Sequence, residues 1–124
     1  MPKTVLVVDD DIRVTRLLDV NLRAAGYEVT CAADGVEALE EVAKAQPQAI
    51  VLDIMMPRMN GFDVLKRLKD DPKTAHIPII LLTAKDQDVD VFSRFHPGYH
   101  CCIGKPYDPL GVIRALDGLE PQPA

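Results

Sequence analysis

The sequence predicts an α/β domain in which a parallel five-stranded sheet carries helices on both faces. Short apolar, β-branched runs recur at Thr4–Val8, Glu28–Ala32, 49–52 and 77–82, with a weaker one at 99–103. Stretches of helical periodicity lie between them. Strands that alternate with helices run parallel, because each crossover returns the chain to the same edge, and right-handed crossovers place helices on both sides. With 124 residues, 48% of them apolar and 27% charged, the chain has the size and composition of one domain with one core.

The first, third and fourth runs are nearly all apolar, as interior strands covered on both faces should be. The first helix places Val14, Leu17, Leu18, Leu22 and Ala25 on one face and stops at Gly26, a residue suited to a helix C-terminus. The second opens at Asp34, with Glu37 three residues on as a capping box; Val36, Leu39, Val42 and Ala43 form its apolar stripe, and Pro47 announces its end. A third follows Asn60-Gly61 with Val64, Leu65 and Leu68 on one side. A fourth is expected over 88–95, and a fifth follows Pro109 with Leu110, Ile113 and Leu116. One folded unit is expected over 1–119. The proline-rich stretch 120–124 reads as a disordered end or the stump of a linker.

Composition excludes several classes. No apolar run exceeds four residues, against the roughly 20 needed to cross a bilayer. The first residues, Met1-Pro2-Lys3-Thr4, lack a signal-peptide pattern, so the expected compartment is the cytoplasm. A net charge of −5 argues against direct nucleic-acid contact. Three cysteines cannot pair completely and are expected as thiols, with Cys31 a small apolar filler. No glycine-rich phosphate loop follows the first strand, which disfavours a dinucleotide-binding fold.

In parallel α/β sheets chemistry sits beyond the carboxyl ends of the strands. The residues there are Asp9-Asp10-Asp11, Asp53, Thr83 and Lys105. Asp11, next to a helix start, reads as a cap. Asp9, Asp10 and Asp53 brought together would repel, at about 4 kcal/mol per pair for 4 Å and an effective dielectric near 20. A hard divalent cation, most plausibly Mg2+, and the fixed charge of Lys105 answer that repulsion.

Four motifs in order, Val7-Val8-Asp9-Asp10, Leu52-Asp53-Ile54-Met55-Met56-Pro57-Arg58-Met59-Asn60-Gly61, Leu82-Thr83-Ala84 and Lys105-Pro106, resemble the receiver domain of bacterial two-component response regulators. The resemblance implies that 1–119 is a receiver domain with a flavodoxin-like, doubly wound sheet ordered 2-1-3-4-5. It implies that Asp53 accepts a phosphoryl group, that Asp10, Asp53 and the backbone carbonyl of Met55 bind Mg2+ directly, and that Asp9 holds it through water. Thr83 and Lys105 would contact the phosphoryl oxygens. The implied donor is a phosphohistidine on a sensor histidine kinase or a histidine phosphotransfer protein, and the implied output is altered binding of a downstream protein rather than enzymatic turnover.

The sequence departs from the family where receivers usually carry an aromatic three residues before the lysine: here it is Cys102. Tyr99 is displaced by three positions. His96, His100, Cys101 and Cys102 include metal-ligand types, but on a strand His100 and Cys102 would share one face and Cys101 the other, which disfavours zinc. Two alternatives follow. One is a receiver-like binding module with weak or lost switching, favoured by Cys102. The other is a haloacid dehalogenase-type phosphohydrolase using Asp9-Asp10-Asp11, against which Arg13 and the absence of room for a cap domain count.

A thiol has far less area to bury than an aromatic ring's roughly 150 Å2 or more, so it adds little to the free-energy difference between two conformations. Phosphorylation is therefore expected to move the segment around 99–107 only weakly. NMR shifts with and without beryllofluoride should be small there in the wild type and larger in Cys102→Tyr; equally large shifts in both would contradict this.

Overall fold

A computed structural model describes residues 4–54, 61–83, 101–104 and 109–119. It contains β1 (Thr4–Val8), α1 (Ile12–Ala24), β2 (Glu28–Ala32), α2 (Gly35–Lys44), β3 (Ala49–Asp53), α3 (Gly61–Asp70), β4 (Ile79–Thr83), β5 (Cys101–Gly104) and α4 (Pro109–Asp117). The expected helix over 88–95, the residues Tyr99 and His100 and the stretch 120–124 lie outside the described residues. All strand pairs are parallel, and the sheet order is β2-β1-β3-β4-β5. The flavodoxin-like, doubly wound architecture is therefore observed.

The pleat divides the core in two. Leu6, Val8, Ile50, Leu52 and Leu81 join Ala38 and Val42 of α2 and Val64, Leu65 and Leu68 of α3. Their neighbours in sequence, Val5, Val7, Val51, Ile80 and Leu82, join Leu18 and Leu22 of α1 and Val112 and Leu116 of α4. Alternate side chains of one strand thus feed opposite faces, which requires consecutive apolar residues at 5–8, 49–52 and 79–82.

The helices bury narrower stripes than periodicity suggests. Leu17 is 48% exposed, because Leu18 and Leu22 already occupy the line of contact with the sheet and a 100° step turns Leu17 off it. Ala25 is exposed as well: it caps the helix instead of continuing it. In α2 the buried positions are Gly35, Ala38 and Val42, with Leu39 partly buried, which leaves Val36 and Ala43 outside. In α4 they are Val112 and Leu116; Ile113 is half-buried and Leu110 is exposed. The stripe of α3 is as expected.

The ends are as the sequence suggests. Asp34 accepts a hydrogen bond from the backbone N–H of Glu37 at 2.9 Å. Gly26 has φ of 100°, which glycine adopts readily. There the N–H of Gly26 donates to Arg23 O and that of Tyr27 to Leu22 O, the paired bonds that close a helix C-terminus. The fourth strand starts at Ile79, two residues later than the apolar run. Pro78, before it, has no N–H for the ladder, and Ile77 is buried in the core from outside the strand. On the outer strand β2, Arg23 Nη2 donates to Val29 O at 2.7 Å while its Nε donates to Asp19 at 2.6 Å.

Tyr27 ties the start of β2 to the far end of the chain's fold. It is 3% exposed, and its hydroxyl donates to the carboxylate of Asp117, the last residue of α4. Burial, then that hydrogen bond and the charge of Asp117, hold the phenol well above its ordinary value. A raised phenol pKa contributes stability that is complete below the ordinary value of about 10 and is lost as pH rises beyond it. Tyr27→Phe is expected to cost about 1.5–3 kcal/mol at neutral pH, the usual worth of a bond to a charged acceptor. Thermal melts from pH 7 to 11 should show a constant gap between the two proteins up to about pH 9–10 that narrows above it.

Candidate functional site

The carboxyl ends of β1 and β3 meet, since Val8 pairs with Leu52 in register. The residues one step further are Asp9 and Asp53, each 1% exposed. Asp9 is held on both sides: its N–H donates to Ala32 O at 3.1 Å, and its carboxylate accepts from the N–H of Asp11 at 2.9 Å. Both carboxylate oxygens of Asp53 are buried. Asp10 is exposed and completes the group; one oxygen from each of Asp9, Asp10 and Asp53 lies within 4.8 Å of the others.

Asp11 belongs to the helix. Its carboxylate accepts from the N–H of Arg13 at 2.9 Å and pairs with the Arg13 guanidinium at 3.1 Å. That hydrogen bond, and then the opposite charge, push Arg13 further above its ordinary value. Thr83 ends β4, where Asp53 pairs with Leu82 and Ile54 N–H donates to Leu82 O at 3.1 Å. Lys105 follows β5 directly in the chain; Lys105 and Met55, like His96 and His100, lie outside the described residues.

Cys31 is not the core filler that its strand suggests. It is exposed and borders a cavity of about 320 Å3 beside Asp9 and Asp10. The part of α1 that faces it presents Ile12, Thr15, Arg16 and Asp19, none of which covers the thiol. Hydropathy of the strand alone carries no signal of that.

Three carboxylates converge at the carboxyl edge of a doubly wound parallel sheet, a donor set of hard oxygens that suits a hard cation. The chain matches the response regulator receiver domain family over residues 5–117, and it belongs to that family. It is 40% identical over 119 residues to the DNA-binding dual master transcriptional regulator RpaA of Synechocystis sp., covering 94% of this chain and 49% of the relative. It is 45% identical over 119 residues to the response regulator PleD of Caulobacter vibrioides, covering 96% of this chain and 26% of the relative. The chain thus spans half or less of these relatives' length. Among solved structures, chemotaxis response regulator CheY4 of Vibrio cholerae is 32% identical with a TM-score of 0.86, covering 94% of this chain and 98% of that one. The signal receiver domain of a signal transduction histidine kinase from Syntrophus aciditrophicus is 28% identical with a TM-score of 0.84, covering 98% and 96%. Receiver domains are signalling domains, and this membership sets aside the dehalogenase alternative. No helix among the described residues is long and apolar enough to cross a membrane.

Repulsion within the acidic group gives a direct expectation. Asp10 is exposed, so solvent screens its interaction with Asp9 and Asp53 from the several kcal/mol of a buried pair to about 1 kcal/mol. In metal-free buffer Asp10→Asn should raise the melting temperature by about 4 °C, less at high salt. A lower melting temperature in differential scanning calorimetry would contradict it.

Proposed function

We propose that the chain is the receiver of a two-component phosphorelay and that Asp53 is its phospho-acceptor. The observation that carries this is the convergence of the buried Asp53 carboxylate with Asp9 and Asp10 at the end of β3, in a member of the receiver family. Hard oxygen donors within 4.8 Å of one another suit Mg2+. In this reading Asp10, Asp53 and the Met55 carbonyl hold the ion directly and Asp9 holds it through water. When bound, the ion neutralises charge on the transferring phosphoryl group.

The remaining steps belong to the chain's own residues. An oxygen of Asp53 attacks the phosphorus of a phosphohistidine whose other ring nitrogen carries a proton; a P–O bond forms, the P–N bond breaks with its electron pair going to the ring, and a neutral imidazole leaves. Asp9 and Asp10 would hold the cation beside Asp53, because two neighbouring carboxylates alone disfavour the ionised form of the acceptor. Thr83 donates its hydroxyl, and Lys105 its ammonium, to the phosphoryl oxygens, which is most of what in-line phosphoryl transfer requires.

The unit of function is 1–119, its donor a sensor histidine kinase or a histidine phosphotransfer protein, and its setting the cytoplasm. It works by changing which protein it binds, not by turnover on a separate substrate. The net charge of −5 supports a protein, not a nucleic acid, as the direct contact of this stretch, although some relatives are named as DNA-binding over a longer chain.

Incubation with acetyl phosphate and Mg2+ should add one base-labile phosphate, located by mass at Asp53 and abolished in Asp53→Asn. Phosphate on Asp9 or Asp10 would overturn the assignment.

A further inference from the structure

Gly61, the first residue of α3, is buried and lies against the main chain of Asp53. A Cβ at this position would stand 2.4 Å from the Asp53 carbonyl oxygen, 2.8 Å from Ile54 Cα and 3.0 Å from the Asp53 carbonyl carbon. All three are backbone atoms, so no side chain can swing aside to make room. The requirement is for space and not for a left-handed backbone, since Gly26 is the one positive-φ glycine among the described residues. The N–H of Gly61 also donates to Ile54 O at 2.9 Å, so the chain returns to the end of β3 at the point where it left.

We propose that Gly61 is a positioning residue for the Asp53 carboxylate: its missing side chain lets the first turn of α3 press directly on the Asp53–Ile54 peptide and hold that carboxylate in register with Asp9 and Asp10. This role rests on the reading of Asp53 as acceptor and adds a residue to it. Asp9 and Asp10 are set by β1 and the start of α1, whereas Asp53 is set by β3 and, from the other side, by Gly61. Any larger residue at 61 separates the two halves of the acidic group. Val64, Leu65 and Leu68 keep α3 seated on the same core as Leu52 and Ile54, so the displacement falls on the Asp53 peptide and is not absorbed by the helix drifting away.

The test compares Gly61→Ala with Leu68→Ala, which weakens the same helix at its other end. Well below their melting temperatures, Gly61→Ala should bind Mg2+ several-fold more weakly by isothermal titration calorimetry. It should also be phosphorylated by acetyl phosphate about ten- to a hundredfold more slowly, the scale of a misplacement near 1 Å. Leu68→Ala should melt earlier yet keep wild-type Mg2+ affinity. Because coupling is reciprocal, Mg2+ should in turn slow amide exchange at Gly61 in the wild type, a measurement that needs no variant to fold. Wild-type affinity in Gly61→Ala, equal losses in both variants, or Gly61 exchange indifferent to Mg2+ would overturn the role of Gly61 while leaving Asp53 as acceptor. A wild type that neither binds Mg2+ nor accepts phosphate would overturn the acceptor reading itself.

Discussion

A carboxylate buried at the end of a strand that is apolar on both faces is the constraint from which the rest of this structure follows. Asp53 is 1% exposed and continues a strand in which every residue is buried. Taking a carboxylate out of water costs several kcal/mol before any partner offsets it. Crowding Asp9 and Asp10 against it makes the cost larger. Mutual repulsion of the three acids works against stability, and a cluster of hard oxygen donors at a strand end is the kind of place where function is gained at that cost.

The scaffold can bear that cost because the sheet is covered twice. Leu6, Val8, Leu52 and Leu81 face α2 and α3, and Val5, Val7, Val51 and Leu82 face α1 and α4. Away from the carboxyl edge the inner strands β1, β3 and β4 are almost wholly apolar. The candidate site residues lie at the strand ends and just beyond them, and the packed strands beneath fix where each stands. Tyr27 and Asp117 work on the other helical layer, joining the chain just after α1 to the last residue of α4.

Much of this is legible in the sequence for a physical reason. A strand buried on both faces must be apolar at consecutive positions, so β1, β3 and β4 stand out, and the acids directly after them fall at one edge because parallel strands all end there. Asp34 and Gly26 are readable because caps demand particular side chains. Helix faces are less so. Where two apolar residues are adjacent, as at Leu17 and Leu18, periodicity admits both and the sheet has room for one. The surroundings of Cys31 depend on what α1 presents to it, which lies outside its own strand's pattern. Gly61 is visible only as a turn residue, because a requirement for empty space leaves no mark beyond the absence of a side chain.

The bond from Arg23 to Val29 bears on how the protein behaves among its own copies. In β2 the carbonyl of Ala32 turns inward to accept from Asp9. Carbonyl directions alternate along a strand, so Val29 O points to the open side of the sheet. An open strand of this kind invites another chain to add itself, the route to sheet-to-sheet stacking and fibres. Arg23 caps that acceptor with a charge, and Asp19 steadies the arginine at 2.6 Å. Among the described residues the opposite border of the sheet is β5, and the β2 border presents a covered acceptor at Val29 where an approaching strand would seek a bare one.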